Sequence, residues 1–175
     1  MRYRRSIVRG GTFFFTVVLA DRSTTLLTDH IDLLRQSFRT IRNRHPFEIL
    51  AAVVLPDHLH TIWTLPATDN NYALRWSLIK SNFSRSLKIS EPVNMSRILK
   101  RERGIWQRRF WEHQIRDDMD LNSYIDYIHF NPVKHDYVES PHAWPYSSIH
   151  RFIRDGILSK DWARDIRDLK SGAGE

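Results

Sequence analysis

The chain contains no cysteine, which removes disulfide frames, thiol nucleophiles, thiolate zinc fingers and iron–sulfur clusters together. Any metal must then be held by imidazole, carboxylate or amide oxygen. A cysteine-free chain fits a reducing compartment, and a cytoplasmic protein is expected. Long apolar runs are also missing. No stretch approaches the ~20 residues that span a bilayer, so a soluble chain that crosses no membrane is expected. The apolar run at residues 13–20 follows the basic start MRYRRSIVRGG and mimics a secretory signal. It is short, rich in β-branched and aromatic side chains, and followed by Asp21-Arg22 rather than a small-residue cleavage site. It reads as a buried strand. Walker loops, dinucleotide glycine fingerprints, nucleophile elbows and HExxH motifs are absent as well.

What is present is a positive balance. The 175 residues carry 27 Lys+Arg against 20 Asp+Glu, a formal charge of +7. That excess points to a polyanionic partner, nucleic acid or an acidic membrane surface, and charge alone does not choose between them. A 41% hydrophobic and 12% aromatic content is enough for one core, and the length suits one domain with an extension.

Periodicity supplies the outline. A strand is expected over 12–19. A helix over 24–44 follows, marked by Ile31, Leu34, Phe38 and Ile41 and ended by His45-Pro46. Strands at 47–55 and 58–65 flank the turn Pro56-Asp57 as a hairpin. Tyr72, Trp76, Ile79, Phe83 and Leu87 mark a second helix, with Arg75, Lys80, Arg85 and Lys88 on its other faces. A basic stretch at 97–109 leads into a fourth strand at 110–115. A third helix runs from near Asp118 to near Asn131-Pro132. An irregular segment around Pro141, Trp144 and Pro145 then precedes a charged final helix. The order β-α-β-β-α-β is the split βαβ, ferredoxin-like pattern. The fold class expected is α+β, an antiparallel sheet with helices packed on it. Residues 1–150 form the domain and 151–175 a C-terminal charged helix or tail.

Chemistry gathers at two motifs. His58-Leu59-His60 lies on a predicted strand, where residues i and i+2 share a face, so both imidazoles converge as half of a metal site. Nine histidines in the chain make about 0.5 such pairs by chance, so two structural histidines at a strand edge stay open. Tyr127 and Asn131 sit four apart on the third helix, one above the other, at the border of the stripe Leu121, Tyr124, Ile125 and Ile128. There a phenol and an amide can address one point. The alternative is a border tyrosine and a helix-ending Asn before Pro132, with Tyr124 the packing tyrosine. Together, two imidazoles and an amide oxygen suit Mg²⁺ or Mn²⁺ acting on a phosphodiester, with Tyr127 as nucleophile.

Cations and rings supply the rest. Arg2, Tyr3, Arg4 and Arg5 form an arm that can enter a groove or remain a solvated tail. Trp106, Gln107, Arg108, Arg109, Phe110 and Trp111 interleave charge with rings, as where single-stranded bases stack beside phosphates, or as a strand with core aromatics. Asp57, Glu112, His113 and Asp117 are further candidates around a metal, or turn and surface residues. His129, Lys134 and His135 follow the tyrosine closely enough to contact phosphate.

The motifs Pro56-Asp57-His58-Leu59-His60, Trp106-Gln107-Arg108-Arg109-Phe110-Trp111-Glu112-His113 and Tyr127-Ile128-His129-Phe130-Asn131-Pro132-Val133-Lys134-His135 stand in an order that resembles the REP-associated tyrosine transposases. These are a branch of the single-tyrosine HUH transposases. Arg2-Tyr3-Arg4-Arg5, Gly10-Gly11 and Phe14-Phe15-Thr16 also fit, and the likeness covers roughly residues 2–150. The resemblance implies a ferredoxin-like catalytic domain in which His58, His60 and Asn131 hold the metal and Tyr127 attacks the scissile phosphate. It implies that Asn131 takes the place of a glutamine in related insertion-sequence enzymes. The implied substrate is single-stranded DNA with imperfect palindromic hairpins, cleaved and rejoined through a 5′-phosphotyrosine without ATP. Arg2, Tyr3, Arg4, Arg5, Arg108, Arg109 and Lys134 are the expected DNA contacts. A bacterial, nucleoid-associated protein acting as monomer or homodimer is expected. Asp136 departs from the glycine frequent after Lys-His in the family and is expected to disturb that turn. A water-using metal nuclease and a catalytically silent hairpin-binding protein are the competing readings.

Overall fold

The computed structural model describes residues 8–88, Ser96, Leu99 and 103–163. Four strands form one antiparallel sheet: β1 (Thr12–Val18), β2 (Glu48–Val54), β3 (His58–Thr64) and β4 (Trp111–Gln114). Their spatial order is β2-β3-β1-β4. β1 and β2 are separated by β3, which is what a split βαβ unit requires. The expected α+β, ferredoxin-like topology is therefore the one observed.

Side-chain alternation divides the sheet into two faces. Phe13, Phe15 and Val17 of β1 with Leu59 and Trp63 of β3 bury themselves beneath α2 (Ile31–Arg44) and α3 (Tyr72–Ser86). Trp63 and Trp76 stack at 4.2 Å there, and Phe47 caps Trp63 at 4.1 Å. On the other face Phe14, Ala51, Val53, Leu55 and Ile62 receive Ile128 of α4 (Asp118–Lys134). The register pairs Val18 with His58, Thr16 with His60 and Phe14 with Ile62, so both histidines belong to the α4 face.

The chain departs from the expected outline in four places. The first helix is interrupted: α1 (Leu26–Asp29) stops at His30 before α2 begins. Thr25, Thr28 and Asp29 hydrogen-bond locally, Thr28 to the Thr25 carbonyl and Thr25 to the Asp29 carboxylate, which competes with helix propagation. Arg75, expected on a polar face, is 2% exposed. Its guanidinium donates to the His45, Pro46 and Asn71 carbonyls and to Asp69, so it satisfies backbone that the loop before β2 would otherwise leave unpaired. α4 runs through Pro132 to Lys134, because Pro132 forfeits only its own N–H and the buried Asn131 and Pro132 hold the turn by packing. The segment at 144–148 is not loose. It runs along the outer edge of β2, with Tyr146 and Ser148 exchanging backbone bonds with Val54 and Ala52, and so covers an exposed strand edge.

The final helical piece, α5 (Ile149–Arg154), is short, and residues 164–175 of the expected C-terminal helix lie outside the described residues. Among the described residues no helix is long and apolar enough to cross a membrane.

Candidate active site

β3 delivers His58 and His60 to the α4 face, and both rings are fixed at Nδ1. The Asp57 carboxylate accepts from His58 Nδ1 at 2.6 Å, and Asp57 in turn accepts from Arg22 Nε at 2.8 Å. His60 Nδ1 pairs with Thr16 Oγ1 at 2.9 Å. The two Nε2 atoms are buried and have no hydrogen-bond partner. A carboxylate on Nδ1 leaves a lone pair on Nε2, which is how a metal-binding histidine is oriented from behind. Burial, and then the His58, His135 and Lys134 charges, hold the His60 imidazole well below its ordinary value, so it is neutral at pH 7. Burial alone would raise the Asp57 carboxyl, but the Arg22 and His58 bonds outweigh it and hold Asp57 low.

α4 brings the other half. Its N-terminus is capped by the Asp117 side chain, which accepts from the Asp120 N–H at 2.8 Å. The Tyr127 ring stands 5.2 Å from the His60 ring and 5.9 Å from Phe14. Lys134 Nζ lies 5.0 Å from the Tyr127 ring centroid. One turn beyond Tyr127, Asn131 is completely buried, and neither atom of its amide has a hydrogen-bond partner. A buried unsatisfied amide costs about 1–3 kcal/mol, a cost that a bound ligand would remove; the indole N–H groups of Trp63 and Trp76 are unpartnered as well but have no lone pair to offer a cation. The donors also fit a divalent cation in kind, two imidazole nitrogens and one amide oxygen. Among the described residues no group of three His, Asp or Glu is arranged to hold a metal.

The structure thus brings together His58, His60, Tyr127 and Lys134, with Asn131 on the adjoining helical turn. His135 joins them, its ring 5.1 Å from that of His58. His129 does not. It is fully buried against Phe152, bonded to Ser148 and brought down to about 4 by burial with Arg151 and His150 nearby, so it anchors the C-terminal segment. Tyr124 is the packing tyrosine expected: it lies 4.5 Å from Phe14, and burial followed by the Asp120 charge raises its phenol. Of the other candidates, Glu112 accepts from Tyr72 on the opposite face and His113 pairs with Asp120.

The basic and aromatic cluster divides by face. Trp106 and Phe110 pack into the α2/α3 core, so their rings are structural, because β4 and the strand-like bridge at Trp106 bury them. Arg108 and Arg109 are exposed, and Arg108 bonds the Ser96 hydroxyl at 2.9 Å. Trp111 stays 45% exposed. Arg2, Tyr3, Arg4 and Arg5 lie outside the described residues. Asp136 does adopt the left-handed conformation, φ 57°, that favours glycine. The turn is nevertheless intact: Asp136 N–H donates to the Val133 carbonyl and Tyr137 N–H to that of Pro132, a Schellman closure. Sequence reading names Thr16 only within the Phe14-Phe15-Thr16 likeness and gives neither Thr16 nor Arg22 a role; strand register and the Asp57 contact place them behind the histidines.

The α+β fold, an antiparallel sheet with packed helices, accords with comparison to known proteins. The family model described as "Transposase IS200 like" matches residues 11–131, and the chain belongs to that family of transposases. A Haemophilus influenzae protein assigned to the REP-associated tyrosine transposases is 49% identical over 96% of both chains. The REP-associated tyrosine transposase of Escherichia coli K12 is 42% identical, over 97% of this chain and 95% of that one. A solved structure of a REP-associated tyrosine transposase bound to a REP hairpin matches with a TM-score of 0.83 at 40% identity, covering 100% of this chain and 98% of that chain. Within the IS200-like family, then, this chain is an enzyme of the REP-associated tyrosine transposase type.

Proposed function

We propose that the protein cleaves and rejoins single-stranded DNA beside REP-type palindromic hairpins, through a covalent link between Tyr127 and a 5′ phosphate. The observation that carries the reading is the Tyr127 ring 5.2 Å from His60, whose outer nitrogen is buried and unpartnered. In the step proposed, the Tyr127 oxygen bonds to phosphorus as its proton is lost, the P–O3′ bond breaks, and the 3′ oxygen leaves as a free hydroxyl. The new phosphodiester retains the bond energy of the old one, so attack by a 3′-OH reverses the step without ATP.

The residues divide the work. His58, His60 and Asn131 are the groups that would hold Mg²⁺ or Mn²⁺, and a bound cation supplies Lewis-acid polarisation of the phosphate. Asp57 and Thr16 keep both imidazoles turned toward the site. Lys134, over the Tyr127 ring, offsets negative charge that develops as the phenol reacts. Arg108 and Arg109 project beside β4 as phosphate contacts, and Arg2, Tyr3, Arg4 and Arg5 are proposed for the hairpin. One chain supplies both histidines and the tyrosine, so a monomer suffices for the chemistry, and a homodimer would serve pairing of two DNA ends. We place the protein in the bacterial cytoplasm, associated with the nucleoid, with residues 1–150 as its catalytic domain.

The test is incubation with a hairpin oligonucleotide and Mn²⁺, followed by denaturing electrophoresis. A denaturant-stable protein–DNA adduct that requires Tyr127 and disappears with EDTA is the expected result. Cut ends without an adduct would replace Tyr127 by water as the nucleophile. Hairpin binding without breakage at any metal concentration would leave only a binding protein.

A further inference from the structure

Two aromatic side chains among the described residues are more than a third exposed, Trp111 at 45% and Tyr137 at 43%. The Tyr137 ring lies against Trp144 at 5.3 Å, within the segment that wraps the β2 edge. Trp111 belongs to neither core cluster and sits in a different place. The register pairs it with Thr16, and Thr16 with His60, so His60, Thr16 and Trp111 form one row across three strands. Directly paired residues share a face, which puts the indole on the face that carries Tyr127. Two strand spacings set Trp111 about 10 Å from His60. Phe14 links the two rings, edge-on to Trp111 at 5.6 Å and to Tyr127 at 5.9 Å. His113 stands parallel to the indole, 9° between planes, and is itself pinned to Asp120 at 2.8 Å.

We infer that Trp111 is the stacking platform for one unpaired nucleobase of the strand whose phosphate meets Tyr127. The inference rests on the reading of Tyr127 given above and adds where the strand lies. The indole is fixed on its inner side by Phe14 and His113 and open on its outer side. Arg108 and Arg109, exposed immediately before it in the chain, are placed for the flanking phosphates. At the ~3.4 Å per nucleotide of a fully stacked strand the gap takes about three nucleotides, and an extended unpaired strand crosses it in fewer, so the stacked base lies within three of the cleaved bond. Every base offers a π face. The platform therefore positions the strand without reading its sequence. It also separates the three rings of the motif at 106–111: Trp106 and Phe110 hold the core, and Trp111 holds DNA.

The test uses the uncleaving Tyr127→Phe protein and hairpins with a single-stranded tail, in which one abasic nucleotide is moved through three positions on each side of the cleavage point. At one position the abasic site should weaken binding about tenfold. Trp111→Ala should weaken binding of the intact strand to a similar degree and lose nothing more at that position. Trp111→Phe should keep most of the affinity, which separates stacking from loss of fold. Should Trp111→Ala not fold, the same cycle with Trp111→Phe decides, its smaller loss being confined to one position. Losses that multiply at every position, or no loss at all, would overturn the platform. Absence of an adduct with the unaltered protein would strike the Tyr127 reading alone, because stacking is read from binding.

Discussion

The two faces of one sheet have been put to opposite uses. Beneath α2 and α3 lie Phe13, Phe15, Trp63, Trp76 and Phe83, all at most 1% exposed, and the buried Arg75 has four acceptors. Beneath α4 the apolar cluster is smaller, and His58 Nε2 and His60 Nε2 of β3 and both amide atoms of Asn131 in α4 are buried and unpartnered. The first face is the larger apolar layer and stabilises the fold, its unpartnered polar atoms being indole N–H groups such as those of Trp63 and Trp76. The second leaves polar groups unsatisfied, which lowers stability unless something binds. A rigid aromatic layer behind the sheet is what allows an incomplete layer in front.

That contrast can be broken or sharpened by experiment. The largest effect expected is from Tyr127→Phe. Adduct formation should fall by at least about 10³-fold, while hairpin affinity in a filter-binding assay changes little. On the α2/α3 face, Trp76→Ala should cost about 3–5 kcal/mol in urea unfolding, and a loss below 1 kcal/mol would refute the assignment of that layer as the stabilising one.

Asn131→Leu tests the opposite face. Removing an unsatisfied amide should raise the stability of the metal-free protein by about 1–3 kcal/mol. The same change should abolish cleavage and remove any rise in Tm that Mn²⁺ gives the unaltered protein. Lower metal-free stability would mean that the amide has partners after all. Asp136→Gly relieves a left-handed residue at the end of α4 and should add about 1 kcal/mol, seen as a higher Tm with cleavage unchanged.

The last effect is one of pH and concerns Lys80, which donates to the Gln107 carbonyl and is lowered by burial to about 8. Its folded value lies below its unfolded one, so the unfolded chain binds more protons between pH 8 and 10.5. Its contribution to stability must therefore rise with pH across that window. In Lys80→Met that rise should vanish from a series of urea titrations.

Much of this was legible before folding. The Phe-rich strand, the hairpin around Pro56-Asp57 and the period of Tyr72, Trp76, Ile79 and Phe83 are local patterns, and local patterns set the elements. The departures have one kind of cause. His30 interrupts a helix because neighbouring threonines bond their own backbone, and Pro132 fails to end one because its surroundings hold it. Arg75 looked like a surface cation because the carbonyls that bury it come from His45 and Pro46, thirty residues away in the chain.

By itself the sequence determined the chemistry available: two imidazoles at strand spacing, a phenol and an amide one helical turn apart, a cationic chain and no thiol. Periodicity also determined that a split βαβ sheet would carry them. Only the tertiary structure decided that β3 and α4 present these groups to each other, that Thr16 and Asp57 stand behind the histidines, and that one of three rings at 106–111 faces outward. Spacing along a chain fixes which side chains share a face, but which faces meet is settled by packing between elements tens of residues apart.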